Sequence, residues 1–148
     1  MNVIVLNLRI GLTLAALAAG TILCAQEGKK VTSHDGSCQV TVPADWQVSG
    51  SFGIANSPDK TIDVAVSTPM RTPTLDDLKQ TAAMVYAGDK VTKSTASEFQ
   101  MEGQGLNGKP NVYRGIQLTG KVCIVEVTYG SGTVEDARKI AGSLKAAK

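Results

Sequence analysis

The chain has one histidine, one tryptophan and two phenylalanines in 148 residues. Each scarcity closes off a class of function. A lone imidazole, His34, removes most histidine-based metal sites and leaves one candidate for histidine catalysis. With three tyrosines, the aromatics total six, little stacking surface for sugars or nucleobases. Excess charge is missing too. Fifteen basic and 13 acidic residues leave a net +2, with both signs spread along the chain. A nucleic-acid binder that neutralises phosphates clusters Lys and Arg on one face instead. There is no C-x-x-C redox pair, no G-x-S-x-G elbow and no D-x-D-x-D-G calcium loop.

What is present starts with an address. Ile10 to Leu23 reads IGLTLAALAAGTIL, charge-free and preceded by Arg9. Its 14 residues match a signal-peptide core and fall short of the ~20 needed to span a bilayer. Cleavage after Ala25 would leave Gln26 as the mature start, although Leu23 stands where a small residue is usual. Two other readings compete. Cys24 could carry a lipid, against which stands Leu23 where lipoprotein signals need a small residue. The segment could also stay uncleaved as an anchor. The expected division is a signal peptide over 1–25 and a single domain over 26–148, periplasmic or extracellular. Removing 25 of the 148 residues leaves 123, a net charge of +1 and two cysteines, Cys38 and Cys123.

Strand patterns fall at Lys30–Thr32, Cys38–Val42, Gly50–Asn56 and Thr61–Ser67. A helical period follows over Thr74–Tyr86, with Leu75, Leu78, Ala82, Val85 and Tyr86 on one stripe. Thr74 stands at its N-cap with Asp77 three residues on. Strands return at Lys90–Gln104, with a break near Ser94, then at Val112–Leu118 and Lys121–Tyr129. Asn107-Gly108 and Thr119-Gly120 supply the turns between them. Val122 to Val125 is apolar at consecutive positions, which predicts a strand covered on both faces at the sheet centre. Thr133–Leu144 is the second helix, with Thr133 and Asp136 repeating the capping pattern.

The order is strands, helix, strands, terminal helix. It carries VPADW (Val42 to Trp46), TLDDL (Thr74 to Leu78), GLNGKPNVYR (Gly105 to Arg114) and EDARKIAGSLK (Glu135 to Lys145). In that order these segments resemble the PsbP-like and DcrB-like superfamily across residues 30–147. The resemblance implies an α+β fold: an antiparallel sheet of about six or seven strands with helices packed on both faces, an α/β/α sandwich. It further implies a non-catalytic binding or accessory domain. Photosynthetic members assist a manganese cluster, but no ligand residue here matches that role.

The remaining motifs read blandly. Gly103 to Gly108 fits G-x-G-x-x-G, yet Lys109-Pro110 and a strand follow where a dinucleotide site needs a helix. His34-Asp35 sits in a turn, where neighbours rarely orient each other as a triad requires. Asp76-Asp77 and Glu135-Asp136 open predicted helices, where negative charge is favoured anyway. Trp46 reads as a core plug before a ligand platform. Arg71 and Arg114 read as surface charge before an anion clamp. Cys38 shares a strand face with Val40 and Val42, and Cys123 with Val125 and Val127. They either form a disulfide or stay two buried thiols that never meet.

The expectation is therefore a secreted binding or accessory protein with no catalytic, cofactor or metal residues. Its partner is an unidentified protein or small molecule in the cell envelope. Nucleic acid is excluded, and so is a membrane span after signal removal. A carrier of a small apolar ligand and an unrecognised hydrolase are the alternatives.

Overall fold

The computed structural model describes residues 27–70, 74–130 and 133–148; the expected signal peptide and Arg71 lie outside them. Ten strands and two helices follow one another along the chain. They are β1 (Lys29–Thr32), β2 (Cys38–Val42), β3 (Gln47–Ser49), β4 (Ile54–Asn56), β5 (Ile62–Ser67) and α1 (Leu75–Val85). Next come β6 (Lys90–Ser94), β7 (Glu98–Gln104), β8 (Pro110–Leu118), β9 (Lys121–Tyr129), α2 (Val134–Gly142) and β10 (Lys145–Ala146).

Seven strands form one antiparallel sheet in the order β3-β4-β5-β9-β8-β7-β6. The apolar strand β9 takes its central position, as the run at Val122–Val125 predicts. Its side chains alternate between two clusters. Val122 and Ile124 join Leu75, Leu78, Ala82 and Tyr86 from α1, with Phe99, Met101 and Tyr113. Cys123, Val125 and Val127 join Ala137, Ile140, Ala141 and Leu144 of α2. A strand has period two, so this alternation divides the core.

The expected single sheet is corrected in one respect. β1 and β2 leave the large sheet and pair with β10 in a separate three-stranded sheet. Periodicity identifies a strand but not its partner, and β10 is too short to show a period. The small sheet packs through Val31, Val40 and Val42 on the α2 side of the core. Cys38 of β2 is bonded to Cys123 of β9 with their Cα atoms 5.7 Å apart. The bond ties the small sheet to the middle of the large one.

Other differences are local. The expected strand Gly50–Asn56 begins only at Ile54, because Gly53 turns the chain at φ +65. A β-carbon at Gly53 would lie 2.3 Å from the Val66 carbonyl oxygen. Helix α2 stops at Gly142, and Lys145 belongs to β10. Thr74 caps α1 by accepting from the Asp77 N–H at 3.2 Å. Thr133 does not cap α2; its hydroxyl donates to the Gly130 carbonyl.

Candidate functional site

Most residues singled out in the sequence are occupied in holding the fold. The Gly103–Gly108 motif runs from β7 into the hairpin turn before β8, with no helix following. Asp76 pairs with Lys79, and Asp77 accepts from the Thr74 hydroxyl. Arg114 is committed twice, which corrects its reading as surface charge. It pairs with Glu98 and donates from Nη1 to the Ala141 carbonyl at 3.0 Å. A cation there satisfies a terminal carbonyl of α2 and its negative dipole end.

His34 and Asp35 point to different partners. His34 Nδ1 lies 3.0 Å from the Ser51 carbonyl oxygen. Asp35 accepts from the hydroxyls of Ser33, Ser37 and Thr68 at 2.7 Å each. Lys121 of β9 lies 3.4 Å away. Hydrogen bonds from Ser33 first, then Ser37 and Thr68, hold the Asp35 carboxyl far below the usual carboxylate range. The knot fastens the β1–β2 turn over the disulfide; Thr68 Oγ1 also lies 3.8 Å from Cys38 Sγ. A lowered native pKa stabilises the fold above the unfolded pKa, and the gain is lost as pH falls. Asp35→Asn is therefore expected to destabilise the protein by a constant amount above about pH 4. The difference from wild type should shrink at more acid pH. Urea titrations at a series of pH values check this; a gap independent of pH down to 2 would contradict it.

Among the described residues, the larger of two hollows offers room for a ligand. A cleft of about 690 Å³ lies between α2 and two turns. The β2–β3 turn supplies Val42, Pro43, Asp45 and Trp46, and the β4–β5 turn supplies Ser57, Pro58, Asp59 and Thr61. Helix α2 adds Asp136, Lys139 and Ile140, whose spacing places them on one helical face, and the residues flanking it add Thr133 and Ser143. Trp46 is only 5% exposed, so it backs the wall as a core residue and does not offer a stacking face.

Both turns are fixed by their own hydrogen bonds. The Trp46 N–H donates to the Pro43 carbonyl, and Lys29 Nζ donates to the Trp46 carbonyl. Asp59 Oδ1 accepts from the Ser57 hydroxyl at 2.6 Å and from the Thr61 N–H and hydroxyl. These bonds, Ser57 foremost, lower the Asp59 pKa. They also hold Lys60 at φ +58, a left-handed conformation that costs energy for a residue with a β-carbon. At the back of the cleft, Ser143 Oγ accepts from the Thr41 N–H at 2.9 Å and donates to the Ile140 carbonyl. The cleft walls are thus preformed, as small-molecule sites usually are.

The cleft brings together residues far apart in sequence, and sequence reading did not find it. The available signal was the pair of proline-headed turns, Pro43-Ala44-Asp45 and Pro58-Asp59. A smaller groove of about 330 Å³ lies between α1 and the edge strand β6, lined by Val91, Phe99 and Met101 among others. Among the described residues there is no group of three or more His, Cys, Asp or Glu that could hold a metal ion. No helix among them is long and apolar enough to cross a membrane.

No protein-family model and no curated protein matches the sequence. In structure the chain is similar to cyanobacterial PsbP (CyanoP) from Synechocystis sp. PCC 6803, solved in solution. The TM-score is 0.50 at 12% identity, over 88% of this chain and 98% of that one. At that identity the likeness is one of fold. The chain has a PsbP-like fold, which agrees with the resemblance carried by the order of its sequence segments.

Proposed function

We propose that this PsbP-like chain is a non-catalytic binding domain that works outside the cytoplasm, with the cleft beside α2 as its ligand site. The observation that carries the reading is the cleft itself. Its walls are hydrogen-bonded in advance, its volume suits a small molecule, and its lining mixes apolar and polar groups.

Three further features support the proposal. The Cys38–Cys123 bond fits an oxidising compartment, and so does the apolar run at Ile10–Leu23. Asp59, the cleft carboxylate most tightly engaged, is held ionised by its own turn, unlike a general acid or base tuned toward neutral pH. The division of β9 side chains between the α1 and α2 clusters supports a layered α/β/α sandwich. In such a sandwich the cleft runs along the α2 layer, lined from Thr133 to Ser143.

The test is an amide-shift map of the isotope-labelled chain with a set of small neutral and charged fragments. Shifts confined to Val42–Trp46, Ser57–Ile62 and the cleft face of α2 are expected. Absence of any saturable shift there would refute the site. Mass spectrometry of the chain recovered from the envelope addresses the compartment: a start near Gln26 is expected, and an intact leader would count against it.

A further inference from the structure

The charges around the cleft select a ligand class, an inference that rests on the cleft being a ligand site. Asp45, Asp59 and Asp136 line it against one cation, Lys139. Among the described residues, none of these four makes an ion pair. The bonds that Asp59 accepts all go to Oδ1, and among the described residues Oδ2 has no hydrogen-bond partner. The α2 N-terminus would favour an anion, but Glu135 and Asp136 in its first turn already answer that dipole. Two further cations flank this wall without lining it: Lys29, which donates to the Trp46 carbonyl, and Lys60, exposed between Asp59 and Thr61. The apolar part of the lining comes from Val42, Pro43, Pro58, Ile62 and Ile140.

We propose that the cleft binds a small amphipathic amine, its apolar body against Pro43, Ile62 and Ile140 and its ammonium group among Asp45, Asp59 and Asp136. A protonated primary amine fits better than a quaternary one. It can donate hydrogen bonds to carboxylates, and the buried Trp46 offers no aromatic face for a cation–π cage. Among the lining residues three carboxylates face one ammonium, so anions of the same body meet a net negative wall.

The chain's one indole N–H, on Trp46, gives a single resonance in the cleft wall. Titration with 2-phenylethylammonium, 2-phenylethanol and 3-phenylpropionate at pH 7 compares a cation, a neutral molecule and an anion of similar body. The cation is expected to bind about five- to tenfold more tightly than the alcohol, with the carboxylate weakest. The preference should fade as salt is raised. It should be lost in Asp45→Asn/Asp136→Asn, two exposed positions whose replacement leaves the core intact. Equal binding of cation and alcohol, or tighter binding of the anion, would overturn the amine inference while sustaining the ligand site. Failure of all three to move the indole would overturn both.

Discussion

Replacing Cys38 and Cys123 together by alanine should cost roughly 4–5 kcal/mol of stability. The bond joins residues 85 apart in sequence, and a closed loop of that size removes much entropy from the unfolded chain. The loss should concentrate where other ties are few. The small sheet holds its last strand through two residues of β10, and β2 meets the large sheet through Cys38, Val40 and Val42. Hydrogen exchange in β1 and β2 should therefore accelerate more than in β8 and β9. Urea unfolding of the wild type with and without reductant, beside the double variant, measures the effect. Identical midpoints in all three would show that the bond contributes nothing.

Phe99→Ala is expected to cost roughly 3–5 kcal/mol. Phe99 is 1% exposed on β7 and is the largest side chain among the most deeply buried. Its ring centroid lies 5.7 Å from that of Tyr113, which in turn lies 5.1 Å from Tyr86. Gly115 opposite makes room for it, since a β-carbon there would lie 2.8 Å from Phe99 Cε1. The three rings fill the space beneath α1, and the space cannot collapse without moving the helix. Burial and the charge of Glu126 push the Tyr86 hydroxyl up to about 12, so this cluster stays neutral throughout the useful pH range. Phe52→Ala is the control. Phe52 is 68% exposed, and its loss should change stability by less than about 0.5 kcal/mol. Similar costs for the two variants in urea unfolding would contradict the packing described.

The sequence made some of this legible and hid the rest for physical reasons. Four consecutive apolar residues in β9 announced a strand with both faces covered, and β9 lies at the sheet centre. The Thr74 cap was legible because it is a contact within one turn. Partner choice was not, since an alternating pattern such as Cys38–Val42 says which face is buried and nothing about which strand lies beside it. Arg114 looked like surface charge because its partners, Glu98 and the Ala141 carbonyl, come from two other elements. The cleft was hidden for the same reason, since its walls come from segments near residues 43, 58 and 140. Trp46 backs the cleft wall while remaining a core residue, the plug that its place at a strand end suggests.

The claim that the cleft beside α2 is the ligand site meets its most direct test in a structure of the chain with whichever fragment shifts its amides most. The fragment is expected seated against Pro43, Ile62 and Ile140, with its polar end near Asp45 or Asp136. A fragment lodged instead in the groove between α1 and β6, against Val91 and Met101, would contradict it.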